Sequence, residues 1–471
     1  MTSGLPIKNR RIALLAVCLG MLMIVFDETI VNVALPSIAA ELGLHQTFLV
    51  WIVNAYLLAF VGFLLLGGRL GDIHGYSKVF LAGIMLFTLA SLACGIASSP
   101  VLLICGRALQ GMGGAVVSAV SLSLIIDLFP EPAERAKAMG LYAFVNACGG
   151  SVGVVLSGIL TSLLNWHWIF FVNVPIGVAV YIACAATLPA RRNDQHAKRL
   201  DAVGALLITL PLLLTVYAIA NGNAAGWLSF QTMGLLGVSI FLFTAWTLIE
   251  SQVAHPLIPL ALIHSRNVAV ANAVGMLWAA AIYAWFFFMT LYLQRVLGYR
   301  PLQVGLAFLP ANVVMAALSL GLSPKIVMRF GIRGPLSLGL LVAALGLMLF
   351  AQTPGSGSYL GHVLPGMVLI GFGAGIAFNP VLLAATSNVE PSDSGIVSGI
   401  FHTSFMVGGA VGLAALDSLA TSHTDSLIRA HAAANDALVG GYRLAFWIGA
   451  AIVGTSSLLS KMLLRETVLS P

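Results

Sequence analysis

Charge is what this sequence has least of. Its 471 residues include 22 Lys and Arg and 16 Asp and Glu, together 8% of the chain, against roughly a quarter in soluble domains. A water-facing surface cannot be built from so few charges. With 59% hydrophobic residues and a mean hydropathy of +1.01, the composition is that of a multi-pass membrane protein. Cysteine is scarce too. Cys18, Cys94, Cys105, Cys148 and Cys184 all lie in apolar segments with no C-x-x-C spacing, which excludes a disulfide framework or a metal site and leaves core thiols. No G-x-x-x-x-G-K-[ST] run occurs, so there is no phosphate-cradling loop for ATP drive. No connecting stretch can fold as a soluble domain; the longest are the basic stretch 191–201 and the outer stretch 421–443, for which a short surface helix is expected. His74 and His167 stand alone, and no acid, base and nucleophile cluster at an interface. An integral-membrane enzyme, a sensor with an output domain, and a cofactor are therefore not expected.

Apolar runs punctuated by polar, Gly or Pro residues predict fourteen spans, near 12–35, 48–68, 79–97, 101–124, 138–160, 168–188, 202–220, 232–250, 269–291, 302–322, 334–351, 361–383, 396–418 and 443–463. The first follows Lys8, Arg10 and Arg11 and is too long for the apolar region of a signal peptide, so it is read as an uncleaved span. The net charge of +6 is explained by topology rather than by nucleic acid. Most basic residues, among them Arg69, Lys78, Arg135, Lys137, Arg191, Arg192, Lys325 and Arg333, flank one set of span ends, whereas Arg295, Arg300, Arg429 and Arg443 flank the other. The positive-inside rule then places both termini in the cytoplasm.

Two carboxylates, Asp27 and Glu28, sit near the middle of the first run. A charge at mid-bilayer costs about 3 kcal/mol or more, so such acids face a cavity, a partner or an ion path. On a helix, Glu28, Thr29, Asn32 and Pro36 share one arc and Asp27 lies about 100° to the side. The fourth run carries Arg107, Gln110, Gly111, Gly114, Ser118 and Ser121 on one face. Arg107 must be paired or hydrated: either it tunes a proton-binding acid in a central path, or it locks helices together.

The fifth run presents Tyr142, Asn146, Gly149, Gly150, Gly153 and Ser157 on one side. Gly149 and Gly153 in small-xxx-small spacing allow close helix approach, as simple packing or as a seal between two halves that opens and recloses. The stretch from Gly68 to Lys78, with Asp72 and Gly75, reads as a cytoplasmic loop, a gate latch or a plain charged turn. His402 in the thirteenth run is either a proton relay or a hydrogen-bonded structural histidine. Asp417, near the outer interface, is expected to be solvated. The ninth run is rich in rings, from Trp278 to Tyr292, which pack, face lipid or stack on a flat cation.

An internal repeat lies at an offset of about 256 to 260 residues. Gly106-Arg107-Ala108-Leu109-Gln110-Gly111-Met112-Gly113 pairs with Gly366-Met367-Val368-Leu369-Ile370-Gly371-Phe372-Gly373, and Asp72-Ile73-His74-Gly75 with Met328-Arg329-Phe330-Gly331. The expected organisation is all-α: a six-helix half over 1–190, a linker with two inserted helices over 191–255, and a second six-helix half over 256–471.

The run Asp27-Glu28-Thr29-Ile30-Val31-Asn32-Val33-Ala34-Leu35-Pro36, the stretch 103–115, the run Trp166-His167-Trp168-Ile169-Phe170-Phe171-Val172-Asn173-Val174-Pro175 and the connection 292–310 resemble motifs of the major facilitator superfamily, specifically its 14-spanner drug/proton antiporter family. The resemblance covers essentially the whole chain. It implies proton-coupled efflux of amphipathic, often cationic, toxic compounds across a bacterial inner membrane, by a protein that acts as a monomer and whose partners are protons, small molecules and lipid. It assigns proton coupling to Asp27 ahead of Glu28, a place in the proton path to Arg107, and the cytoplasmic gate to Asp72 and Gly75. Departures are Ile73, Tyr76 and Ser77 at usually basic gate positions, Gly153-Val154 for the usual Gly-Pro, and His167 for the usual arginine. A narrow-specificity exporter of an amino acid, sugar or siderophore is the alternative.

Overall fold

The computed structural model describes residues 7–44, 46–129, 131–188, 202–250, 265–386 and 394–465, and every regular element among them is helical. In hydrocarbon each backbone N–H and C=O must be satisfied within its own segment, which long apolar helices achieve. Among the described residues, ten helices are long and apolar enough to cross a bilayer. Four shorter apolar stretches, Phe48–Leu64, Val152–Leu163, Leu210–Ile219 and Pro301–Ala317, lie where the sequence predicts further spans.

The chain forms two compact units, Met1–Thr209 and Leu210–Pro471. The first contains α1 (Ile7–Leu42), α2 (Gln46–His74), α3 (Tyr76–Gly95), α4 (Pro100–Leu128), α5 (Pro132–Leu163), the single turn α6 (Trp168–Phe171) and α7 (Asn173–Thr187). Here α1 packs on α5 and α7, and α4 on α2 and α3. The start of α4 shows how the sequence sets these boundaries. Ser99 accepts a hydrogen bond from Leu102 N at 3.3 Å, and Pro100 occupies the first turn, where its missing N–H costs nothing. Pro36 lies within α1 without ending it.

The helix α8 (Ala202–Ala225) crosses from the first unit into the second and is followed by α9 (Phe230–Glu250). Within the second unit these two are joined by Ser239, which donates to Pro211 O at 2.8 Å and contacts Thr215 Oγ1 at 2.6 Å. There follow α10 (Arg266–Leu291), α11 (Pro301–Ala317), α12 (Ser323–Phe330), α13 (Arg333–Phe350), α14 (Leu364–Thr386), α15 (Ser394–Arg429) and α16 (Ala434–Leu463). In this unit α10 packs on α15 and α16, and α14 on α11 and α13. The rings of the ninth run mostly turn inward. Trp285 sits edge-on to Phe308 at 5.3 Å, and Phe288 edge-on to Phe446 at 6.4 Å.

The repeat read from the sequence recurs as a repeat of contacts. Gly111 meets the Tyr56 carbonyl, and Gly371 meets the Ala311 carbonyl. Gly113 lies against Phe87, and Gly373 against Ala343. Gly153 lies against Phe26, and Gly412 against Ala280. Gly75 and Gly331 both adopt positive φ, 88° and 72°, a conformation that costs glycine little and other residues more. Each therefore ends one helix and admits the next.

Four expectations are corrected. The stretch 68–78 is not a loop: α2 runs through His74 and only Gly75 interrupts it before α3, because a helix continued to the bilayer surface leaves fewer backbone groups unsatisfied. The stretch 421–443 forms no separate surface helix; α15 continues to Arg429 and α16 begins at Ala434. Asp417 is buried, 6% exposed, since the extended α15 holds it inside its unit. Cys18, Cys94 and Cys184 are core thiols, but Cys105 is exposed on the outer arc of α4 with Val101, Leu102 and Leu109. The Cys148 side chain lies outside the described residues.

Gly149 and Gly153 of α5 pack against α1 within the first unit. A Cβ at Gly153 would stand 2.6 Å from Phe26 O and collide with Thr29 Oγ1, whereas at Gly150 it would meet only Thr29 Cγ2, at 3.6 Å. Gly153→Ala is therefore expected to destabilise the protein by about 1–3 kcal/mol through overpacking, read as a lower Tm of the detergent-purified protein. Gly150→Ala should leave Tm unchanged.

Candidate functional site

The centre of the first unit is a sealed cluster of polar side chains. Asp27, Gln110, Ser91 and Asn173 are 0% exposed and Arg107 is 1% exposed. They come from four helices, α1, α3, α4 and α7. Arg107 and Gln110 are three residues apart on α4 and so project together. Arg107 Nη1 donates to Asp27 Oδ2 at 2.6 Å and to Gln110 Oε1 at 2.9 Å, while its Nε donates to Ile52 O of α2 at 3.2 Å. Gln110 Nε2 donates to Asp27 Oδ1 at 3.2 Å and to Ser91 Oγ at 2.8 Å. Asn173 Nδ2 donates to Asp27 Oδ1 at 2.7 Å. The Cys94 thiol reaches Gln110 Oε1 at 3.4 Å. The Tyr56 ring lies under the guanidinium, 4.4 Å from Arg107 Cζ to centroid, and Phe170 is at 5.9 Å.

The electrostatics follow from this geometry. Two desolvated charges each carry a penalty of several kcal/mol, repaid only by a close pair whose remaining lone pairs and protons are also bonded. Asp27 meets that condition with three donors. Its bond to Arg107 has the short length of a charge-assisted contact. The pair is net neutral, so an apolar unit can enclose it. To break it in the dark of the bundle, something must neutralise one member.

Of the residues singled out in the sequence, Asp27, Arg107 and Gln110 are brought together. Glu28, next to Asp27 on α1, is only partly buried. Asn32 donates to Thr29 O at 3.3 Å, and Thr29 Oγ1 reaches Gly150 O of α5 at 3.1 Å. In the gate stretch, Gly68 has open space beside it and Lys78 is exposed; the Asp72 side chain lies outside the described residues, as does that of Asn146. Tyr142 is partly exposed on α5, and His402 is exposed on α15 in the second unit, apart from the cluster. Asn173, Ser91, Cys94 and Tyr56 were not singled out as site residues. Asn173 alone carried a signal, as a polar residue inside the aromatic run that opens the sixth span.

The profile of the Major Facilitator Superfamily matches residues 17–413. This chain belongs to that superfamily. It is 36% identical over 467 residues to the puromycin resistance protein of Streptomyces alboniger, covering 98% of this chain and 92% of that one. It is 37% identical over 414 residues to the cephamycin export protein of Amycolatopsis lactamdurans, covering 88% and 85%. Its fold is similar to the crystal structure of a bacterial homologue of the human lysosomal transporter Spinster, with a TM-score of 0.68 at 17% identity over 97% of each chain. This major facilitator chain is thus a multi-pass membrane transporter, and its relatives include antibiotic resistance, antibiotic export and multidrug resistance proteins.

Removing one member of the buried pair strands the other. Arg107→Gln and Asp27→Asn are each expected to lower stability by about 3–5 kcal/mol, with the double variant less destabilised than the sum of the two. Thermal unfolding of all four proteins in one detergent measures that coupling directly.

Proposed function

We propose that this major facilitator protein is a proton-coupled exporter of amphipathic, often cationic, small molecules, acting as a monomer in a bacterial inner membrane with both termini in the cytoplasm. The reading includes the 14-spanner architecture of the drug/proton antiporter family: six-helix halves over 1–190 and 256–471 with two helices inserted over 191–255, working by alternating access. The observation that carries it is the enclosed Asp27–Arg107 pair. A carboxylate in this position binds a proton only by surrendering its arginine, so proton occupancy and helix arrangement are coupled.

Asp27 is then the coupling acid, and Arg107 and Gln110 are the groups that hold its charged form. Glu28, more accessible on the same helix, is the second acid and the contact for a cationic substrate, with Asn32 and Tyr142 beside that face. The stretch with Gly68, Asp72, Gly75 and Lys78 acts as the cytoplasmic gate; Pro36, Gly149 and Gly153 shape the α1–α5 contact; His402 and Asn146 are secondary polar contacts. One proton exchanged for one neutral molecule at 100 mV supplies about 2.3 kcal/mol, roughly a fifty-fold gradient, whereas exchange for a monocation moves no net charge and is driven by the pH difference.

A narrower range is a second reading. Both relatives above are named for a single antibiotic, whereas another, 32% identical over 424 residues, is named a multidrug resistance protein of Mycobacterium tuberculosis. Ethidium efflux from preloaded cells of a pump-deficient host separates the two. Expected is energised efflux that a protonophore stops and that Asp27→Asn reduces to the host background. Efflux that survives the protonophore removes proton coupling. Failure to move ethidium or any dye of an unrelated panel puts the single-compound exporter first.

A further inference from the structure

The export reading uses the carboxylate and leaves the phenol beside it unexplained. Tyr56 is 0% exposed, and its hydroxyl has no hydrogen-bond partner among the described residues. A buried unpaired hydroxyl costs about 1–3 kcal/mol, and phenylalanine would stack on the Arg107 guanidinium much as tyrosine does. The ring contact therefore does not account for the oxygen. The seat of this side chain is built by α4. Gly111 lets the two backbones close at the Tyr56 carbonyl, and Gly114 leaves room for the phenol, since a Cβ there would stand 3.1 Å from the hydroxyl oxygen. The hydroxyl lies in the combined field of Asp27, Glu28 and Arg107. It is held at the charge cluster without being used by it.

We propose that the Tyr56 hydroxyl is the hydrogen-bond partner that Asp27 acquires once it is protonated; this rests on the proton-coupled reading of the Asp27–Arg107 pair. In the charged arrangement Asp27 is served by Arg107, Gln110 and Asn173. Hydronium gives its proton to Asp27 Oδ1: one O–H bond of the hydronium breaks, one O–H bond forms at the carboxyl, water leaves, and Oδ2 becomes the C=O oxygen. Arg107 keeps its charge and its bonds to Ile52 O and Gln110 Oε1, but loses the anion that held its Nη1. The phenol, already on the guanidinium, donates to the carboxyl oxygen that the arginine gives up. Tyr56 is thus a positioning residue that keeps the neutral acid from re-forming the pair by default.

Infrared difference spectra of the full-length detergent-purified protein between neutral and acid pH test this. The C=O band of a neutral carboxyl that disappears in Asp27→Asn reports Asp27, and a C=O that loses a hydrogen bond absorbs at higher frequency. The expected result is a shift of this band to higher frequency in Tyr56→Phe, with Tm equal to or above that of the intact protein because an unpaired hydroxyl has been removed. An unshifted band in Tyr56→Phe overturns the proposal, as does the absence of any band that depends on Asp27. The spectra need no transported substrate, so a failure of dye efflux would strike the export reading and leave this result standing.

Discussion

The structure of the first unit depends on the cost of placing charge in hydrocarbon. Asp27 and Arg107 are each intolerable there alone, and their contact at 2.6 Å makes them tolerable together. The consequence reaches beyond the two residues. Because the remaining lone pairs and protons must also be bonded, Gln110, Asn173, Ser91 and the Ile52 carbonyl are recruited, and with them α1, α2, α3, α4 and α7 are tied at one point. Helix association in lipid has little hydrophobic drive, so a point of this kind fixes register where apolar packing alone would allow sliding.

The second unit shows the same helix contacts without the charge. The residue after the Gly153 contact at Phe26 is Asp27; the residue after the matching Gly412 contact at Ala280 is Ala281, buried at 2% exposure. Arg107 has its counterpart in Met367, 0% exposed. One packing scheme thus carries an ion pair in one unit and a methyl and a thioether in the other. Glycine-mediated approach is common to both units, and the polar cluster is a further tie found in the first.

This separation also explains which parts could be read from the sequence. Asp27, Arg107 and Gln110 stood out because a charge or an amide in an apolar run has few structural excuses, and helical periodicity put the last two on one face. The glycine repeat was legible because close approach leaves a fixed spacing. Ser91 and Cys94 were not legible: in a span such residues ordinarily bond their own helix, as Ser91 does to Phe87 O at 2.8 Å, and nothing local tells which ones also meet a neighbour. Tyr56 was hidden for the converse reason, since a ring in an apolar run reads as packing. The continuity of α2 through His74 was missed because glycines and charges at a membrane surface look like a turn, whereas the helix ends only where Gly75 takes positive φ.

The adjacency of Asp27 and Glu28 has a final consequence. Periodicity places Glu28 nearer the centre of the polar stripe, but Asp27 is the more buried and the one paired with Arg107. Only one of two acids 100° apart on α1 can face α4 closely enough to share Arg107. The acid that does so is enclosed and bonded three ways. The other, only partly buried, is left with a field in which its neighbour is already neutralised by Arg107. The Arg107 charge therefore offsets the repulsion that Asp27 exerts on Glu28. One helix thus holds an enclosed, ion-paired acid and a less buried acid, separated by a single residue step.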